Sequence, residues 1–350
     1  MNAALALEGR ILPNGWLVGP VRVPASDATG GVFSVSYPVS KDDGTQGFLK
    51  VLNLGLAMQQ QDVVGTLLWM TSQFSAERDL CVMCGERRLS KIVTAIDHGS
   101  LQLAEYAPLS SVSYIVFEMA THDVRRAMSL HAELDEVIRL EYLHSIAMGL
   151  RQLHGIKVAH QDLKPSNFLV FPPGTDGRAT GKIADLGRAY RADQPNSLDS
   201  ETIPGDRNYA PPEQLYRYSV PDERGRRYGA DLFQLGNMVC FLFTGRTMNA
   251  MLGRVLDPQL HWRKYGDSYQ TVLPYLEEAY SRIVAKLEEK LTSSAGRDVV
   301  RIVAYLCEPD YEKRGHPGAR KQAYGSPYGL ERVISDFDLA ARRAAARVNR

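Results

Sequence analysis

Eight consecutive residues, His160-Gln161-Asp162-Leu163-Lys164-Pro165-Ser166-Asn167, constrain this chain more than any other stretch. Asp162 and Asn167 stand five residues apart on what reads as a single loop. At that spacing a carboxylate can serve a hydroxyl while an amide oxygen helps to hold a magnesium ion. Taken alone, the same eight residues also describe a polar surface loop following a helix. Distant segments decide between the two.

The organisation of the chain comes first. Its opening third reads as strands: residues 32–39 alternate in part, 48–52 form a short apolar run around one lysine, and 114–119 make another strand candidate. The pattern then becomes helical. Over residues 135–154, Ile138, Tyr142, Ile146 and Leu150 recur at helical spacing with Leu143, Ala147 and Leu153 beside them, and Gly155 stands where a helix would stop. Residues 231–243 are apolar nearly all round and end at Gly245, the pattern of a helix buried on every side. The switch from strands to helices falls near residues 120–123. The Pro172-Pro173-Gly174-Thr175-Asp176-Gly177 cluster lengthens a turn between two strands. No internal repeat and no long low-complexity linker is present.

Composition narrows the function classes. The chain has 350 residues, 44% of them hydrophobic, enough for one large domain or two modest lobes with a real core. A net charge of +1 from 41 basic and 40 acidic residues argues against nucleic acid or an acidic membrane as the main partner. The basic run of Arg342, Arg343, Arg347 and Arg350 reads as a solvated helix face. No apolar stretch reaches the ~20 residues that span a bilayer, and the run over residues 3–7 is too short for a signal-peptide core, so a soluble cytoplasmic protein is expected. Four cysteines do not make a disulfide framework. Cys81 and Cys84 form a lone C-x-x-C in an apolar helical stripe, without a second pair at zinc-site spacing, and read as core.

The eight-residue loop resembles the catalytic loop of protein kinases, H-R-D-L-x-x-x-N, with Gln161 in place of the arginine. Other segments join it. Lys50 lies between Leu49 and Val51, so on a strand it points to the opposite face. In the helix that follows, Met70, Phe74, Cys81 and Cys84 share one face and Glu77 falls within that stripe, where a carboxylate is costly unless paired. Phe48-Leu49-Lys50 resembles the family's A-x-K strand, which implies Lys50 as the partner of Glu77 and both as holders of the nucleotide phosphates. Lys182-Ile183-Ala184-Asp185-Leu186-Gly187 resembles the strand ending in D-F-G and implies Asp185, with Asn167, as a magnesium ligand. Tyr209-Ala210-Pro211-Pro212-Glu213 resembles the A-P-E element. The segment from Asp231 to Gly236 is similar to the start of the family's buried helix, whose aspartate braces the catalytic loop, and Arg314 stands where an arginine pairs with the A-P-E glutamate, here Glu213. The motif order covers roughly residues 15–320. Rival catalytic patterns, G-x-x-x-x-G-K-[ST], H-E-x-x-H and G-x-S-x-G, are absent.

Some positions depart from the family. In the glycine-rich loop, Gly31 fills the second glycine position and Phe33 the aromatic one, while Thr29 and Ser34 replace glycines that favour close approach of backbone to phosphate. Phe48 replaces a small residue roofing the adenine. The alignment makes Phe117 the gatekeeper and has Glu118 and Ala120 offer backbone groups to adenine. Gln161 cannot form the charge-assisted pair with an activation-loop phosphate, which implies activity without that phosphorylation, although Ser197, Ser200 and Thr202 lie in the segment. Asp206 replaces a threonine; it is expected to accept a hydrogen bond from Lys164 and to favour basic residues near the acceptor.

The resemblance implies an α+β, two-lobed protein-kinase-like fold: a small β-rich nucleotide-binding lobe with one main helix over residues 1–120, a larger helical lobe over 121–335, and a basic C-terminal helix or tail over 336–350. It implies a bacterial-type, stand-alone serine/threonine protein kinase using ATP and Mg2+ on a protein substrate and open to a regulatory partner protein. Asp162 would orient the hydroxyl, Lys164 neutralise the transferred group, and Lys50 position the phosphates. A small-molecule phosphotransferase and an ATP-binding pseudokinase scaffold are the alternatives.

Overall fold

The computed structural model of the chain describes residues 2–22, 33–107, 109–130, 134–173, 177–194, 196–264 and 268–348. The chain divides into two compact units, Met1–Thr121 together with Ala184–Gly187, and His122–Ile183 together with Arg188–Arg350.

The first unit is built on a five-stranded antiparallel sheet. Its strands are β1 (Leu17–Val18), β2 (Ser34–Ser40), β3 (Gln46–Leu52), β4 (Ala95–Gln102) and β5 (Ser111–Glu118), in the order β1-β2-β3-β5-β4. Alternation along β2 buries Val35, Tyr37 and Val39, which join Leu49, Val51, Tyr114 and Val116 in one core. The N-terminal residues Ala3, Ala4, Leu7, Leu12 and Trp16 cover that core, and the Tyr37 hydroxyl donates to the Ala4 carbonyl at 2.7 Å. The β2–β3 turn closes through Gly44, whose φ of 85° is the left-handed conformation that glycine adopts without penalty. The single long helix, α1 (Val63–Glu86), starts at Asp62, whose carboxylate accepts from the Gly65 amide at 2.9 Å. It buries Met70, Phe74, Glu77, Cys81 and Cys84, the stripe expected from the sequence.

Strand β4 was not expected. Its sequence, Ala-Ile-Asp-His-Gly-Ser-Leu-Gln, has few β-branched or aromatic residues, and it lies at the sheet edge with a register shift between Ala95 and Asp97.

The second unit is mostly helical. Its elements are β6 (His122–Asp123), α2 (Val124–Leu130), α3 (Glu136–Gly155), β7 (Val158–Ala159), β8 (Phe168–Phe171), β9 (Thr180–Ile183), β10 (Tyr190–Arg191), α4 (Pro212–Leu215), α5 (Glu223–Thr244), α6 (Met248–Val255), α7 (Tyr269–Lys290), α8 (Ser294–Leu306), α9 (Pro317–Arg320) and α10 (Glu331–Val348). Two small antiparallel sheets, β6-β8-β9 and β7-β10, flank the segment 160–167 in sequence. Of the Pro172–Gly177 cluster between β8 and β9, residues 174–176 lie outside the described residues.

Helix α5 organises this unit. Every residue from Gly229 to Cys240 is buried, and the helix ends on Gly245 at φ 71°, where the Gly245 amide donates to the Phe241 carbonyl at 2.8 Å. It begins two turns before the apolar pattern does, capped by Asp222 on the Gly225 amide at 2.7 Å, because its first turns carry Arg224 and Arg226 and show no apolar period. Gly236 lies against Cys307, the residue just past α8, so closely that a Cβ would overlap the sulfur. Helix α10 packs on α3 and α8 through Val333, Phe337, Ala340 and Ala344, while Arg343 donates to both oxygens of Asp298 at 2.8 and 2.7 Å.

The α+β class expected from the sequence, a small β-rich unit with one main helix and a larger helical unit, is the class observed. No helix among the described residues is long and apolar enough to cross a membrane.

Candidate active site

In the first unit, strand alternation turns Phe48 and Lys50 to the face opposite Gly47, Leu49 and Val51. Helix α1 brings Glu77 to meet Lys50. The ammonium donates to both carboxylate oxygens, at 2.7 and 2.8 Å, and Asp185 Oδ1 stands 3.6 Å from the same nitrogen. Burial alone would depress the lysine, but Glu77 and then Asp185 outweigh it and hold Lys50 above its usual value. Burial pushes the Glu77 carboxyl up against the pull of Lys50. An ammonium bound to both oxygens at these distances is the geometry of an ionised pair, and we take Glu77 to be charged. The expectation that the inward-facing carboxylate is paired therefore holds.

Asp185 adopts φ 61°, uncommon for a residue with a Cβ. Its carboxylate keeps 30% of its surface exposed, whereas that of Glu77 keeps 7%. Of these two acids, Asp185 is the one accessible to a ligand.

The other expected nucleotide residues of this unit are placed less specifically. Phe33 lies edge-on to Trp69 with ring centroids 5.1 Å apart. Phe48 pairs across the sheet with Phe117 and carries the Arg22 guanidinium 5.6 Å from its ring centroid. Phe48 and Lys50 share a face of β3, and Lys50 makes the pair with Glu77 that the A-x-K comparison implies. Glu118 ends β5 with its carboxylate accepting from the Thr94 amide at 3.2 Å, and Ala120 follows two residues later. Gly31 and the rest of the expected glycine-rich loop up to Val32 lie outside the described residues. Cys81 and Cys84 are buried in α1, and among the described residues no group of three or more His, Cys, Asp or Glu is arranged to hold a metal ion.

In the second unit, the segment 160–167 forms one polar cluster. Lys164 Nζ lies 2.9 Å from Asp162 Oδ2, the Asp206 amide donates to Asp162 Oδ1 at 2.6 Å, and Asn167 Nδ2 donates to the Asp162 carbonyl at 2.9 Å and to Oδ2 at 3.2 Å. Asp162, Lys164 and Asn167 are each about nine-tenths or more buried. Spending its amide nitrogen on Asp162 leaves Asn167 an oxygen that accepts one long bond, 3.4 Å, from the Ser166 hydroxyl and keeps a second lone pair for a cation.

The hydrogen bond expected from Lys164 to the Asp206 carboxylate is not formed. The two groups are 3.9 Å apart, an ion-pair distance only, because Lys164 donates to Asp162 and Asp206 Oδ1 accepts from the Asn208 amide at 2.9 Å. The segment approaches this closely through Gly205, where a Cβ would overlap the Gln161 carbonyl and reach within 2.9 Å of Asp162 Cα.

The cluster rests on α5. Asp231, fully buried, accepts from the amides of His160 and Gln161, both at 2.8 Å, from Gln161 Nε2 at 3.2 Å, and lies 2.9 Å from His154 Nε2. Gln234 accepts from the Leu163 amide at 2.8 Å and donates to the Gln161 carbonyl at 2.9 Å. These bonds hold Gln161 at φ 66°, a costly conformation that the surroundings fix. Its side chain is 99% buried and donates to the Arg227 carbonyl at 2.9 Å. Arg227 in turn donates to the Asp199 carbonyl at 2.8 Å and lies over the Tyr190 ring at 4.3 Å.

Sequence reasoning missed Gln234 and Arg227. Gln234 left a signal, a polar residue inside an all-round apolar helix; Arg227 lay before the apolar pattern began. Further along, Arg314 meets Glu213 as the sequence implied: both guanidinium ends reach the carboxylate, at 2.7 and 2.8 Å, with both residues buried.

Comparisons with known proteins give the family. Residues 34–321 match the protein kinase domain. Serine/threonine-protein kinase H2 of Homo sapiens is 30% identical over 149 residues, 41% of this chain and 36% of the relative. Serine/threonine-protein kinase ATG1b of Arabidopsis thaliana is 35% identical over 127 residues, covering 36% of this chain and 16% of the relative. A probable serine/threonine-protein kinase of the same plant is 29% identical over 240 residues, 63% of this chain and 31% of the relative. The chain thus spans about a third or less of the length of these relatives. With the family model matching most of its length, the chain belongs to the protein kinase domain family.

Proposed function

We propose that the chain is a serine/threonine protein kinase that moves the γ-phosphoryl group of Mg-ATP to a hydroxyl of a protein substrate. The observation that carries this reading is the Asp162 cluster: a carboxylate bound by Lys164, Asn167 and the Asp206 amide. Such an acid is positioned to accept the proton of an attacking hydroxyl. Lys164 carries positive charge to the place where the transferred group develops negative charge. In the first unit, Lys50 meets the nucleotide phosphates, and its bond to Glu77 fixes its direction.

The oxygen donors Asp185 and Asn167 suit magnesium. They are few, as fits an ion that keeps waters and is shared with substrate phosphates rather than caged by protein. When bound, magnesium supplies charge neutralisation on the phosphate oxygens. The backbone at Glu118 and Ala120 is assigned to adenine, with Gly31 and Phe33 assigned to the loop over the phosphates.

A protein rather than a small molecule is favoured as acceptor by the anchoring of the segment 185–213. Asp206 ties it to Asp162, and Glu213 ties it to Arg314. Incubation with labelled ATP, magnesium and a generic protein acceptor tests the reading. Label should enter serine or threonine of the acceptor, and Asp162→Asn or Asp185→Asn should abolish this while the folded structure, read by circular dichroism, persists. ATP binding without transfer would point instead to a scaffold, and labelling that survives Asp162→Asn would overturn the assignment of that residue.

A further inference from the structure

A recess in the second unit is lined by Arg207, Arg217, Trp262, Arg263 and Lys264 and has a volume of about 550 Å³. That size lies within the roughly 300–1,000 Å³ of small-ligand clefts. Four of its five lining side chains are cations. Among the described residues none of the four meets a carboxylate, as some exposed cations elsewhere do, Lys313 with Glu277 and Arg342 with Asp338 among them; what sets the recess apart is that four cations line one cleft. In a chain of net charge +1, this is a local concentration of positive charge among the described residues. His261 next to it feels that field: burial first, then Arg263 and Lys264, hold its imidazole below the usual value.

The walls are fixed. The buried Tyr216 donates its hydroxyl to the Leu260 carbonyl at 2.6 Å and meets the Trp262 ring edge-on, with centroids 6.3 Å apart, while His261 lies against the other side of the indole at 4.1 Å. Arg217 stands just past the end of α4 at φ 57°, its amide donating to the Gln214 carbonyl at 3.0 Å. A left-handed residue at this place after a helix is most often glycine, and a side chain there costs about 1 kcal/mol or more. Arg207 directly follows Asp206, whose amide binds Asp162, so the recess begins one residue from a group that touches the proposed acceptor site.

We propose that this recess binds an acidic stretch of the protein substrate, carboxylate or phosphorylated side chains close in sequence to the acceptor hydroxyl. The proposal rests on the protein kinase reading above. It also replaces the preference for basic neighbours expected from Asp206, whose carboxylate is engaged with the Asn208 amide and near Lys164.

The test uses the full chain and four labelled peptides that share one acceptor serine and differ only in a flank of Glu, phosphoserine, Gln or Lys. Binding is followed by fluorescence anisotropy and transfer by steady-state kinetics. The acidic peptides should bind more tightly than the Gln peptide, and less so as salt rises. Arg217→Gly removes one cation and relieves the backbone, so its melting temperature should not fall; Arg263→Ala/Lys264→Ala removes two more. Each lost cation should weaken the acidic peptides about five-fold, the effect of an exposed ion pair near the upper end of the usual range. In kinetics the loss should appear in KM, with discrimination against the Gln peptide shrinking in step. A phosphoserine flank that outperforms Glu identifies phosphate as the group recognised; the reverse identifies carboxylate. Equal binding of acidic and Gln peptides, or discrimination unchanged in the variants, overturns the recess while leaving transfer to serine intact. Charge-dependent binding lost in the variants, with no transfer to any peptide, supports the recess and overturns the kinase reading instead.

Discussion

Asp231→Asn is the substitution whose consequence is best defined by the structure. The carboxylate is fully buried and serves four donors: the Gln161 amide and Gln161 Nε2 on Oδ1, the His160 amide and His154 Nε2 on Oδ2. Asparagine has the same shape but only one acceptor oxygen. If its NH2 turns toward His154, the imidazole can take the tautomer that accepts, but the buried His160 amide is left without a partner, at about 1–3 kcal/mol. The two bonds on the other oxygen change from charge-assisted to neutral and lose roughly half their strength, about 1 kcal/mol each. The sum is about 3–5 kcal/mol, similar to that of breaking other buried charged contacts. With a urea slope of about 2–3 kcal/mol/M, the midpoint of the second unit should fall by roughly 1.5 M. The same bonds hold Gln161 at φ 66°, directly before Asp162, so the variant should also lose about 100-fold in kcat, the effect of a misplacement near 1 Å. The KM for ATP should change less than kcat, since Lys50, Glu77 and Asp185 belong to the first unit and only Asn167 of the proposed nucleotide and metal groups lies on the loop. Urea denaturation and steady-state kinetics check both. A variant with wild-type kcat, or a midpoint shift under about 0.5 M on the same slope, refutes the claim that α5 positions the loop.

Three further outcomes follow from buried polar groups in the second unit. Arg314→Met strands the buried Glu213 carboxylate and should cost about 3–5 kcal/mol by urea denaturation, whereas Arg314→Met/Glu213→Leu should recover most of that, because no unpaired charge remains. Phosphatase treatment should leave turnover unchanged, since Gln161 is spent on Arg227 and Asp231; loss of activity on treatment would sink the idea. Arg227→Ala, by contrast, removes the donor to the Asp199 carbonyl and should slow turnover roughly ten-fold, the equivalent of one hydrogen bond of about 1.5 kcal/mol to a charged group.

The parts of this chain that were legible in the sequence are those where one residue type answers to one physical requirement. A carboxylate on an apolar helix stripe needs a cation, and Glu77 has Lys50. An all-round apolar helix must be buried, and α5 is. Where the requirement could be met in several ways, the sequence was silent or misleading. Asp206 is the instructive case: an acid near a lysine pointed to a side-chain hydrogen bond, yet the link that forms runs through the Asp206 backbone to Asp162, and Lys164 lies at hydrogen-bond distance from Asp162 while its carboxylate contact with Asp206 stays at 3.9 Å. Backbone donors have no sequence signature, because every residue but proline carries one. The same limit hides Arg227, which holds the segment after Asp185 through the Asp199 carbonyl as well as the Tyr190 ring. Arg227 thus ties the segment to α5, beside the segment's own links from Asp206 to Asp162 and from Glu213 to Arg314. Substitutions at Ser197, Ser200 or Thr202 should accordingly matter less to turnover than a single change at Arg227.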